Sequence, residues 1–126
     1  MSKVEDSSGK ITRFEDLIVW RRAQDFAVLI YKVTEIFPSE EKFGLTSQVR
    51  RSASSISANI AEGFGRLSSK DKLHFYTIAY RSTLEAKNFI YLALRLGFIN
   101  PETASDSIAK ATDVQKLLNS FMRPLK

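Results

Sequence analysis

The chain has 126 residues, 44% of them hydrophobic and 26% charged, with five Gly and three Pro. That is the size and balance of one globular domain, which excludes wholesale disorder and fibrous repeats. No cysteine is present, so disulfide scaffolds, thiolate metal sites and cysteine nucleophiles are excluded together, and a reducing, cytoplasmic setting is expected.

The charge is unevenly placed. Nineteen Lys and Arg against fourteen Asp and Glu leave +5. Between Lys42 and Arg95 there are nine basic residues and only three acids, a net +6, whereas the flanks sum to −1. A localised basic surface is the electrostatic footprint of a polyanion binder; ordinary solvated lysines and arginines are the alternative.

In chain order, residues 1–12 read as a polar, disordered tail without the apolar core of a signal peptide. Residues 13–123 form the expected bundle domain, and 124–126 a short C-terminal tail. The first helical segment runs from Glu15 to Phe37 and is stopped by Pro38. Its Val19, Ala23, Phe26, Ile30, Val33 and Phe37 repeat at alternating spacings of four and three, one stripe of a helix. The second starts near Thr46, a candidate N-cap, and runs to Gly63 and Gly65.

Around this second helix, at about 100° per residue, three faces separate. Val49, Ala53, Ile56 and Ile60 are the core stripe. Ser54, Ser57, Ala58 and Ala61 make a face of small side chains, which lets another helix approach closely, in the bundle or from another subunit. Arg51, Ser55, Asn59 and Glu62 make a polar stripe: an RNA-facing or catalytic surface, or a structural hydrogen-bonded network. Charged groups near a bundle interior persist only when paired, so Arg51, Asn59 and Glu62, joined by Glu85 of the next helix, are expected to form such a network, with an Arg51–Glu85 bridge.

The third segment opens at Ser68 or Ser69, where Ser68 and Asp71 resemble a capping box, and ends at Gly97. Phe75, Ala79, Ser82, Ala86, Phe89, Ala93 and Leu96 form a heptad seam. Tyr76, Tyr80, Leu84, Tyr91 and Leu94 form a second apolar stripe on the other side. A helix apolar on two sides calls for burial on both. Hence Trp20, Tyr76, Tyr80, Leu84 and Tyr91 are expected at a homo-oligomer interface. Tyr76, Tyr80, Lys87 and Tyr91 could instead stack bases beside a phosphate-neutralising lysine. The fourth segment begins at Asn100-Pro101, an N-cap with Pro at the first helical position, and continues through Ala104, Ile108, Ala111, Leu118 and Phe121 to Met122.

Four helices of roughly 17 to 29 residues with short connections predict an all-α, antiparallel up-down-up-down four-helix bundle. Enzyme signatures are missing. His74 is the single histidine; the Glu-x-x-His pairs of a di-iron bundle are absent, since Glu85 is followed by Asn88 and Glu62 by Gly65. Gly63-Phe-Gly-Arg-Leu-Ser68 lacks the Gly-Lys-Ser/Thr ending of a phosphate loop. The serines of 52–57 have no histidine–carboxylate pair to activate them. No catalytic residue, metal or cofactor is therefore expected.

Leu45-Thr-Ser-Gln-Val-Arg-Arg51 followed by Ser55-Ile-Ser-Ala-Asn-Ile-Ala-Glu-Gly63 resembles the signature of the bacterial four-helix-bundle family of 23S rRNA intervening-sequence proteins. Phe14-Glu-Asp-Leu-Ile-Val-Trp20, Ala23, Phe37-Pro38, Phe75, Ile78-Ala79, Ser82, Glu85 and Leu96-Gly97 agree. One departure is Arg81-Ser82, where the family usually has Gly-Ser. The resemblance implies a pentameric ring, similar to the nucleic-acid-binding accessory protein of diversity-generating retroelements. The expectation is a non-enzymatic oligomer contacting ribosomal or other structured RNA through Arg50, Arg66, Lys70, Lys72, Lys87 and Arg95. The alternative is an adaptor ring that recruits a polymerase or another protein, its basic charge incidental.

Overall fold

The computed structural model describes residues 11–126, and the first ten residues of the expected tail lie outside them. Its helices are α1 (Ile18–Val33), α2 (Leu45–Phe64), α3 (Ser69–Arg95) and α4 (Pro101–Met122), with short 3-10 turns at Phe14–Asp16, Thr34–Ile36, Ser39–Glu41 and Arg123–Leu125. No strand occurs among the described residues. Ile11, placed by the sequence in the tail, packs against the core.

Two helix starts and one end follow from local side-chain chemistry. Ser68 Oγ accepts the Asp71 N–H (3.1 Å) and Asn100 Oδ1 accepts the Thr103 N–H (2.8 Å), each satisfying an otherwise orphaned first-turn donor. Gly97 ends α3 at φ 78°, with Phe98 N–H donating to Ala93 O (2.9 Å) and Gly97 N–H to Leu94 O (3.0 Å). This Schellman closure needs the left-handed residue that glycine supplies without a Cβ clash.

Three boundaries differ from the sequence reading. Helix α1 starts at Ile18, not Glu15, because an extended Leu17 separates it from the 3-10 turn at Phe14–Asp16. Helix α1 gives way to a 3-10 turn after Val33, short of Phe37. There Thr34, buried, donates its Oγ1 to Ile30 O (2.7 Å) and accepts Arg50 Nε (2.7 Å), which fixes the α1 end from a neighbouring helix. Thr46 is not the N-cap of α2: it lies inside the helix and is buried, while Gly44 holds the cap position. The Glu41 carboxylate accepts the Leu45 N–H instead (3.0 Å), adding negative charge at a helix N-terminus.

The core is built on alanine as much as on large side chains. Ala23, Ala53, Ala79, Ala86, Ala93 and Ala111 are fully buried between Phe26, Ile30, Ile56, Ile60, Tyr76 and Leu118. Small residues allow close backbone approach, and α2 packs most extensively on α3. Partners run in opposite senses along these two helices, Ser55 meeting Ser82 and Gly63 meeting Tyr76. The same holds for Gln24–Ser57 and Thr34–Arg50 between α1 and α2. Helix α4 closes the group against α3 and α1.

Helix α3 corrects the expected phase. Its buried residues are Tyr76, Ala79, Thr83, Ala86, Ile90 and Ala93, a direction that bisects the two predicted stripes. A bundle helix touches two neighbours, so Phe75 and Ser82 flank the contact with α2, while Tyr80 flanks that with α4. Tyr76 is therefore core, 1% exposed, with its ring 4.7 Å from that of Phe121.

Burial pushes the Tyr76 hydroxyl up to about 12 from 10.0. A folded-state pKa above the unfolded one means that the native state holds its proton longer. The associated stability is complete below pH 10 and is lost as pH rises toward 12. An alkaline decline of about 2–3 kcal/mol is expected in denaturant titrations, at ~1.4 kcal/mol per pKa unit. Tyr76→Phe should flatten it. A wild-type curve level over this range would contradict the assignment.

Candidate nucleic-acid interface

The six cations proposed as phosphate contacts split into two groups. Four are held by the protein itself. Arg50 donates Nε to Thr34 Oγ1 and Nη2 to Tyr31 O (3.3 Å), with its guanidinium 4.7 Å from the Tyr31 ring centroid. Arg66 pairs with Glu62 (3.3 Å) and lies 4.6 Å over Phe75. Lys72 Nζ donates to the Phe64 carbonyl (2.8 Å), closing the C-terminus of α2, where a cation is favoured. Lys87 Nζ donates to Gln115 Oε1 (3.1 Å), and Gln115 Nε2 donates onward to Tyr80 Oη (3.2 Å).

Lys70 and Arg95 are the other group. Both are exposed, and neither makes a hydrogen bond or ion pair among the described residues. Arg81 and Arg51 share this condition. At about 100° and 1.5 Å per residue, Lys70, Arg81 and Arg95 fall within about 40° of arc over about 38 Å of α3. The sequence reading missed Arg81, which projecting the α3 cations on a helical wheel would have found.

The expected polar network is rearranged. Arg51 and Glu85 are exposed and unbonded to each other among the described residues, and Glu62 turns outward to Arg66. At mid-length α2 and α3 are joined by uncharged groups: Ser82 Oγ donates to Ser55 Oγ (3.0 Å), and within α2 Asn59 Nδ2 donates to Ser55 O (2.8 Å) and Oγ (2.9 Å). The two charged groups can stay in water at the rim, avoiding the desolvation that an interior pair would require. The small-residue face also divides. Ser57 is buried and accepts Gln24 Nε2 (3.0 Å), while Ser54 and Ala58 face solvent.

The expected interface residues divide as well. Tyr76 is core, Tyr80 is bonded to Gln115, and Trp20 stacks on Phe14 with ring centroids 5.2 Å apart. Leu84 and Tyr91 remain 42% and 51% exposed, on the α4-side shoulder of the cationic stripe. With Tyr76 and Tyr80 occupied, Tyr91 alone of the three candidate stacking tyrosines stays open. His74 is exposed and lies edge-on to Phe75 at 5.2 Å. No group of three or more His, Asp or Glu among the described residues could hold a metal ion, and no described helix is long and apolar enough to cross a membrane.

These features define an all-α, four-helix protein with a basic central hairpin. A family model described as 23S rRNA-intervening sequence protein matches residues 15–120, and the chain belongs to that family. It is also similar to a crystal structure from Bacteroides thetaiotaomicron, described as a protein of unknown function from the S23 ribosomal protein family. Identity is 29%, the TM-score is 0.75, and the match covers 83% of this chain and 98% of the other. No curated protein matches the chain.

Proposed function

We propose that the chain is the protomer of a non-enzymatic cytoplasmic homo-oligomer, an up-down-up-down bundle assembled into a pentameric ring, that binds structured RNA through α3. The observation that carries this reading is the outward row of Lys70, Arg81 and Arg95, free of internal acceptors among the described residues. The row stands within the Lys42–Arg95 stretch that holds the net +6. The 23S rRNA in the family description points the same way. Leu84 and Tyr91 supply apolar area for subunit contact beside the row, as exposed patches on oligomeric surfaces do.

Phosphate contacts release counterions, so affinity depends steeply on salt. Three contacts per protomer predict at least about 40-fold weaker binding of a labelled 23S rRNA fragment at 200 mM than at 50 mM salt. Affinity independent of salt would refute the reading. Light scattering should give a mass several times 14.3 kDa; that value itself would refute the ring. The adaptor reading is favoured by the four cations already engaged inside the fold, and protein partners surviving nuclease treatment would establish it.

A further inference from the structure

An open cleft of about 480 Å³ lies at the corner between α1 and α2. Tyr31, Lys42, Phe43, Ser47, Arg50 and Arg51 line it, along with further hydroxyl side chains, and the lining includes no carboxylate. The nearby Glu41 is turned to the Leu45 N–H. Phe43 stands 89% exposed in the α1–α2 linker, with Lys42 Nζ 5.5 Å from its ring centroid. A single exposed phenylalanine is commonplace; one set among three cations and no acid has the composition of a site that stacks a base and neutralises its phosphates.

Arg50 adds preorganisation. Two of its five N–H donors go to Thr34 Oγ1 and Tyr31 O, which leaves three for an incoming anion on a guanidinium whose position is already fixed. The geometry points to this cleft as a subsite for an unpaired nucleotide of the bound RNA, its base on Phe43 and its phosphates on Lys42, Arg50 and Arg51. The inference rests on the RNA-binding reading and adds a preference for looped or bulged strands, whose bases are free to stack. It is separate from the α3 row, which tracks a backbone without regard to pairing.

The test is a comparison of two labelled RNAs on the full-length protein: a hairpin with an unpaired loop, and the same stem as an uninterrupted duplex. Phe43→Ala should weaken hairpin binding about tenfold, in the range of losing one stacked base. It should leave duplex binding unchanged, and Phe43→Trp should restore the hairpin. Because the ring is exposed, folding should survive the change, which circular dichroism checks. Equal hairpin affinity for Phe43→Ala and wild type overturns the subsite while leaving the RNA reading standing. A Phe43→Ala protein with altered assembly mass assigns the ring to a subunit contact and overturns it too. Failure of the wild type to bind either RNA at low salt removes both claims and leaves the cleft to a protein partner.

Discussion

Gly63→Ala is expected to lower the melting temperature by about 4–8 °C, against the ordinary preference of a helix for alanine. A Cβ at this position would lie 2.5 Å from Tyr76 Cε1, 2.8 Å from its Cδ1 and 3.1 Å from Phe75 Cβ. Two effects compete. Alanine gains about 0.5–1 kcal/mol over glycine in a helix interior, and overpacking a filled core costs about 1–3 kcal/mol. Overpacking wins because the Tyr76 ring cannot retreat: it is 1% exposed and backed by Phe121 at 4.7 Å.

Two controls accompany this result in thermal melts. Gly65→Ala should be close to neutral, since the nearest atom to its added Cβ is Glu62 O at 3.6 Å, an ordinary contact. In a Tyr76→Ala background, where the two shortest contacts are gone and only Phe75 Cβ at 3.1 Å remains, Gly63→Ala should cost less than in the wild type, a coupling that a double-mutant cycle measures. A Gly63→Ala protein as stable as wild type would show that α2 and α3 can separate, and that the close approach inferred at this point is not required.

Reversing Arg81 and Arg95 together to glutamate is expected to reduce RNA affinity at low salt at least tenfold, and to make the salt dependence shallower by about two phosphate contacts. Thermal stability should fall by no more than about 1 kcal/mol, the helix-terminus cost of reversing Arg95 in the last turn of α3, since other exposed substitutions usually stay within about 0.5 kcal/mol. Lys72→Glu should show the opposite balance. It removes the hydrogen bond to the carbonyl end of α2, so it lowers the melting temperature. RNA affinity and salt slope unchanged in the Arg81/Arg95 double variant would defeat the α3 row as the contact surface.

Much of the fold is legible in the sequence. Each helix end that rests on its own residues could be read directly: Ser68 and Asn100 as N-caps, Gly97 as the left-handed stop. The core stripes of α1 and α2 also followed from spacing. Ends fixed from a distance could not be read. Thr34 closes α1 with help from Arg50, sixteen residues on, and no local signal announces that pairing. Helix α3 was misread by phase, because apolar residues on both flanks of a two-neighbour helix look like two separate faces when the neighbours are unknown.

The site divides along the same line. Amino-acid order alone determined that the positive charge resides in the central hairpin, that helices of this length and patterning follow, and that the common catalytic motifs are missing. Only the tertiary structure decided which cations are free. Lys72 meets the carbonyl end of α2 because the α2–α3 turn folds it back there, while Arg81 points away because the burial direction of α3 lies opposite. Charge is a property of composition, but its availability depends on which acceptors the folded chain brings within about 3 Å of each cation, the reach of a hydrogen bond.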